Sequence, residues 1–165
     1  MGVAADIGRS LRRGPGPVVR EHLARGVNEA WNLAFLMIGW ALVFIGRWPA
    51  LAREAQETGQ AFDRLIAYAL LGSLFIWPLV FYFLAGLTNL VSGATGGQGT
   101  PGTARLAMFW SWLAASPFAL LAGAAGGLFG DRAADLIGIL WIGVLAGFWA
   151  LSQREAAHGP VPRGA

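Results

Sequence analysis

Few side chains in this chain are equipped for acid–base, nucleophilic or metal chemistry. Its only histidines are His22 and His158, it has neither cysteine nor lysine, and all twelve basic residues are arginine. Both histidines fall in polar terminal segments, away from any Asp or Glu cluster with metal-ligand spacing, so no zinc or di-iron site is expected. The absence of cysteine excludes disulfides, thiolate metal sites and cysteine nucleophiles. The polar side chains inside apolar stretches are Ser73, Thr88, Asn89, Ser111 and Ser116. A serine nucleophile needs a neighbouring base, and no histidine or lysine falls in those stretches to act as one. Asn89 stands out because a helix backbone cannot satisfy its amide; it either bonds to a neighbouring helix or serves a ligand. Gly96, Gly97 and Gly99 lack the lysine and the strand-to-helix setting of a phosphate loop and read as linker. No catalytic residue, cofactor site or metal site is expected, and the chain reads as non-enzymatic.

The elements that must position these groups are membrane helices. A chain of 165 residues with 56% hydrophobic residues, 13% charged residues and a mean hydropathy of +0.55 cannot cover a soluble surface with polar groups. Four apolar blocks, at about 30–48, 65–91, 106–129 and 136–151, approach or exceed the roughly 20 helical residues that cross a bilayer core. Their interiors hold no charged residue or histidine, Arg47 falling at the very end of the first. Helix is the conformation that satisfies a backbone in lipid. The expected architecture is all-α: a polytopic bundle of about four transmembrane helices (29–153), preceded by a basic amphipathic segment (1–28) and followed by a flexible tail (154–165). The first block belongs to the mature protein, because no signal-peptide apolar core precedes it.

Pro78 and Pro117 lie inside the second and third blocks, where each removes a backbone donor and predicts a kink, either as a hinge or as a packing solution. Trp31, Trp48, Trp110 and Trp149 fall near block ends, where indoles meet headgroups, whereas Trp40, Trp77 and Trp141 are deeper and predict packing between helices. Gly123 with Gly127, and Gly143 with Gly147, place small residues four apart on the last two spans. That spacing predicts a close hairpin or, alternatively, homodimerisation. The glycine-rich stretch 92–102 reads as flexible.

The arginines decide orientation and partners. Arg9, Arg12, Arg13, Arg20 and Arg25 precede the first span, Arg105 lies in the second loop, and Arg154 and Arg163 lie in the tail; only Arg47, Arg53, Arg64 and Arg132 belong to the other side. This asymmetry predicts cytoplasmic N- and C-termini in a bacterial inner membrane. Val3, Ile7 and Leu11, and after a Gly-Pro-Gly-Pro break Val18, Val19 and Leu23, form apolar stripes beside the first five arginines. Two short helices follow from this, either lying on anionic lipid or capping the bundle. Thinly spread arginines with a net charge of +3 do not make a nucleic-acid surface.

In order, Arg13-Gly14-Pro15-Gly16, Arg47-Trp48-Pro49, Leu51-Ala52-Arg53-Glu54-Ala55, Thr58-Gly59, Arg105-Leu106-Ala107 before Phe109-Trp110, and Ala115-Ser116-Pro117 make the chain resemble the bacterial branch of the Yip (Ypt/Rab-interacting) family, over about 6–155. The resemblance implies a helical membrane domain with a cytoplasmic N-terminus and, in eukaryotic members, trafficking through small GTPases; it transfers no enzymatic residues. The chain departs from eukaryotic members in having four spans rather than five and in lacking their tyrosine and glycine motifs. The expected function is a membrane adaptor or organiser whose five N-terminal arginines contact lipid or a protein partner. The alternative is a small transporter or permeation protein for a neutral or lipid-like solute, with Ser73, Asn89, Ser111 and Ser116 converging on one cavity.

Overall fold

The computed structural model describes residues 2–158. The chain is all-α: α1 (Val3–Arg13), α2 (Gly16–Ala24), α3 (Glu29–Gly46), α4 (Trp48–Thr58), α5 (Phe62–Leu71), a π-helical turn (Gly72–Ile76), α6 (Trp77–Ala94), α7 (Pro101–Phe129) and α8 (Asp131–His158). Four helices are long and apolar enough to cross a membrane: Glu29–Gly46, the continuous Phe62–Ala94, Pro101–Phe129 and Asp131–His158. The protein is therefore a multi-pass membrane bundle. The fourth span, which the sequence makes short, is 28 residues long because the helix continues past the apolar block into Asp131, Arg132 and Asp135 at one end and Arg154 and Glu155 at the other. Residues 154–158 of the expected flexible tail are thus helical; the remainder, with Arg163, lies outside the described residues.

The central helix is α7, which packs against α8, α3 and α6 and also touches α1, α2 and α4. From Leu106 to Ser116 it is buried on every side. Its closest crossing is with α3. A side chain on Gly123 would collide with the Gly46 carbonyl, one on Gly46 would meet the Ala119 carbonyl, and one on Gly39 would strike the Trp112 indole. Gly127 faces Pro49, whereas Gly143 and Gly147 face open space. The glycine pairs therefore do not build the α7–α8 hairpin: Gly123 serves α3, and Gly143 and Gly147 lie on the outer surface. Four-residue glycine spacing marks a smooth helix face without specifying its partner. Leu79, Phe83 and Leu90 on α6 and Leu136 and Ile139 on α8 are exposed, as lipid-facing residues of a bundle are.

The two prolines act differently. Ahead of Pro78 the helix widens into the π turn, with the Trp77 N–H donating to the Gly72 carbonyl five residues back. In α7, Pro117 has no N–H for the Leu113 carbonyl, and the Ser116 hydroxyl donates to that carbonyl instead, at 2.8 Å. The helix continues through Pro117 to Phe129.

The glycine-rich connection is held in place rather than loose. Gly96 takes a positive φ of 85°, the Gly97 N–H donates to the Ser92 carbonyl, and the Gln98 N–H donates to the Ala157 carbonyl at 2.9 Å. Thr100 and Thr103 then form a reciprocal capping box that starts α7. At the opposite end Arg53 of α4 donates to the Gly126 carbonyl at 2.8 Å and pairs with Asp131 at 2.9 Å, covering the α7–α8 turn.

The α3–α7 crossing can be tested with a pair of substitutions. Gly123→Val should cost about 1–3 kcal/mol by overpacking and lower the melting temperature in mild detergent. Gly143→Val, which adds the same side chain to the outer face of α8, should leave it unchanged.

Candidate functional site

The serines and the asparagine expected to converge do not meet. Ser73 donates to the Ala69 carbonyl of its own helix, Ser116 is committed to Leu113, and Ser111 donates to the Ala107 carbonyl. Ser111 also shares a hydroxyl–hydroxyl bond of 2.9 Å with Ser152, which ties α7 to α8. Asn89 is half-buried on α6 and makes no side-chain hydrogen bond among the described residues. None of these four side chains lines either of the two cavities described next.

The N-terminal arginines are largely committed as well. Arg9 donates to Asp6 at 2.7 Å and to both Glu21 oxygens at 2.7 and 2.8 Å; Arg20 pairs with Glu155 at 3.3 Å and Arg25 with Glu21 at 3.7 Å. Only Arg12 and Arg13 of the five lie exposed without a carboxylate partner among the described residues. The segment is a cap folded onto the bundle: Val18, Val19 and Leu23 join the core, and the Trp110 indole N–H donates to Ser10 at 3.2 Å. Trp110, expected at the headgroup level, is fully buried under this cap, whereas Trp31 and Trp48 are exposed as interface residues are.

Two cavities stand out among the described residues. The larger of them, about 550 Å³, begins beside Trp40, midway along α3, and runs to the end of the bundle where α3 meets α4. Its aromatic walls are Trp40, Trp77, Phe81, Trp112 and Trp141; its narrow side is formed by Gly46, Ala119, Ala122 and Gly123; and Arg47 stands at its end. Trp40 stacks on Trp77 at 5.5 Å and contacts Trp112 at 4.4 Å, and Trp112 contacts Trp141 at 5.5 Å. The deep tryptophans thus pack between helices, as their positions predict. The indole N–H groups of Trp40, Trp112 and Trp141 have no hydrogen-bond acceptor among the described residues. Gly138 of α8 lines the cavity with open space around the position a side chain would take.

The smaller cavity, about 370 Å³, lies under the cap at the opposite end. Asp6, His22, Arg25, Asn32, Trp31 and Phe35 are among its lining residues. His22 is wedged between Phe35 (5.3 Å) and Trp110 (4.9 Å), with Nε2 3.9 Å from Asp6 Oδ2. The α1–α2 turn folds Asp6 back onto His22, a pairing that the sequence spacing does not signal. Burial holds the His22 pKa below its usual value, partly opposed by Asp6. Glu21 is also lowered, chiefly by the hydrogen bonds from Arg9. Asn32, fully buried in the first turn of α3, escapes a search for polar groups restricted to the middle of the spans. It donates to the Gly102 carbonyl at 3.4 Å and leaves its own oxygen unpaired. Among the described residues no group of three or more His, Asp or Glu could hold a metal ion.

Fold and cavities together define a multi-pass α-helical membrane protein with an apolar chamber inside the bundle. Comparison of the chain with protein-family models, curated proteins and solved structures finds no match.

The depressed His22 pKa makes cap docking pH-dependent. An undocked His22 binds a proton with its ordinary pKa of 6.5 and the docked one more weakly, so docking is most stable above that value and weakens as pH falls below it. Glu21, whose pKa is lowered from 4.5, keeps its charge through that window. Hydrogen-exchange protection factors of α1 and α2, which divide out the base-catalysed intrinsic rate, should fall as the pH drops below 6.5, and His22→Phe should flatten that dependence.

Proposed function

We propose that this is a non-enzymatic integral membrane protein that holds a lipid-like molecule within its bundle. The observation that carries the reading is the tryptophan-walled cavity. Its volume of about 550 Å³ falls within the roughly 300–1,000 Å³ typical of small-molecule sites. Its walls are apolar, Arg47 stands where the cavity reaches the bundle end, and α8 forms no extensive interface with α5 or α6 that would close that side from the bilayer. An acyl or isoprenoid chain would fill the apolar volume, an ester or ketone oxygen would give the indole N–H groups an acceptor, and an anionic head would lie beside Arg47. This makes the neutral or lipid-like solute the better-supported alternative, reached through the tryptophans instead of the serines.

A second reading, the adaptor, rests on Leu11, Arg12 and Arg13, which are exposed together at the end of α1. Under it, this corner of the cap engages anionic headgroups or a protein partner, consistent with the Yip-like order of sequence features. The arginine asymmetry supports a bacterial inner-membrane location with the cap on the cytoplasmic side. Each exposed arginine near an anionic surface contributes about 1 kcal/mol. Replacing Arg12 and Arg13 by Gln should therefore weaken crosslinking of α1 to anionic lipid or to a partner; unchanged crosslinking removes the adaptor reading.

The cavity reading is tested at Gly138. Protein purified in mild detergent should carry a reproducible apolar molecule detectable by mass spectrometry of an organic extract. Gly138→Phe, which fills the cavity from a position with free space, should cut its occupancy by about tenfold, equivalent to about 1.4 kcal/mol of binding, with the melting temperature of the emptied protein preserved. Equal extracts from both proteins would overturn the reading.

A further inference from the structure

The cavity beneath the cap is independent of the tryptophan chamber and lies at the other end of the bundle. Deep inside it lie acceptors that have no donor among the described residues. Asp6 is 2% exposed; its Oδ1 accepts from Arg9, and among the described residues its Oδ2 has only His22 Nε2 nearby, at 3.9 Å, too far for a direct hydrogen bond. Asn32, 1% exposed, has spent its amide on Gly102 and keeps an unpaired oxygen, and His22 Nε2 is likewise unpaired. Burying such acceptors without donors is unfavourable, so the arrangement is completed by a ligand that brings several N–H donors on one small group.

The remaining walls narrow the choice. Trp31 and Phe35 present aromatic rings 6.1 Å apart, surfaces that favour a cation. Arg25, more than half exposed, supplies a positive charge at the rim. The local charges balance, with Asp6 and Glu21 against Arg9 and Arg25, so a ligand of net charge would leave the cluster unbalanced while a zwitterion would not. Trp31 and Asn32 belong to the first turn of α3, at the depth where a span meets the headgroup layer.

We propose that this cavity binds a primary ammonium joined by a short linker to a phosphate, with the ammonium on Asp6, Asn32 and His22 and the phosphate on Arg25. The same chemistry is carried by a phosphatidylethanolamine headgroup and by free O-phosphoethanolamine. Phosphatidylcholine has no N–H and serves as the control.

The full-length protein in mild detergent is offered equimolar phosphatidylethanolamine and phosphatidylcholine, and the retained lipid is counted by native mass spectrometry. The expected result is a preference for phosphatidylethanolamine of about tenfold, lost in Asp6→Asn; Arg25→Gln, which acts on the phosphate the two lipids share, should lower retention of both and leave the preference in place. Since Asp6→Asn also removes a partner of Arg9, hydrogen exchange of α1 and α2 reports whether the cap stays docked, and Asn32→Leu, which removes the unpaired oxygen and leaves the Arg9 ion pairs in place, carries the test if it does not. A second arm titrates free O-phosphoethanolamine against the same complex: displacement of the lipid identifies the soluble zwitterion as a ligand too, and failure to displace it assigns the site to the lipid headgroup. Equal retention of the two lipids by the unsubstituted protein overturns the proposal, as does a preference that survives a cap-docked Asp6→Asn or, where that variant undocks the cap, Asn32→Leu.

Discussion

The spacing between α3 and α7 sets the rest of the bundle. Gly46 and Gly123 meet with no side chain between them, so the two helices are in backbone contact toward one end. In lipid no difference in hydrophobicity drives helices together, and close van der Waals contact of this kind is one of the forces that does. At Gly39, earlier on α3, the Trp112 indole occupies the place of the absent side chain. The Leu113 Cα also lies 3.3 Å from that place, so the two helices stay close along the crossing, and Trp40, Trp77 and Trp141 gather around Trp112 beside it. The cavity opens beside this aromatic cluster.

The ends of the bundle are fixed by charge. At one end Glu29 accepts from Tyr82 at 2.7 Å and pairs with Arg105 at 3.0 Å, joining α3, α6 and α7. Arg9, between Asp6 and Glu21, joins the two cap helices to each other, and Arg20 on Glu155 ties the cap to α8. At the other end Arg53 covers the α7–α8 turn. Arginine suits these positions, because its planar fork can satisfy two acceptors at once, as Arg9 does with the two Glu21 oxygens and Arg53 does with a carbonyl and a carboxylate.

Much of this architecture was legible in the sequence, because a bilayer leaves few options: long stretches free of charge had to be helices, and the deep tryptophans had to pack on something. Helix ends were less legible, since hydropathy marks where apolar residues stop and not where the backbone does; α8 runs through Asp131 and Glu155 on the strength of its own hydrogen bonds. The sites were not legible. Asp6 and His22 are 16 positions apart and meet only through the Gly14–Pro15 turn, Ser10 and Trp110 are 100 apart, and nothing local in either pair signals the other. Serine was misleading for a related reason. Ser116 is explained by its neighbour Pro117 and Ser73 by its own helix, so intramembrane polarity here mostly repairs or decorates backbone instead of marking a path.

Glycine has two opposite uses in the same membrane layer, and the difference separates structure from site. At Gly46 and Gly123 the missing side chain is replaced by another helix, and the small residue is a contact. At Gly138 nothing takes its place, and the small residue is part of an empty volume lined by Trp141 on the next turn of the same helix. Large aromatic residues could have filled that volume at little cost in lipid, where burial of apolar surface is no longer the main driving force. A helix that places glycine beside tryptophan at this opening leaves the cavity unfilled, and the sequence pattern Gly138-Ile139-Leu140-Trp141 is better understood as a cavity wall than as a packing motif.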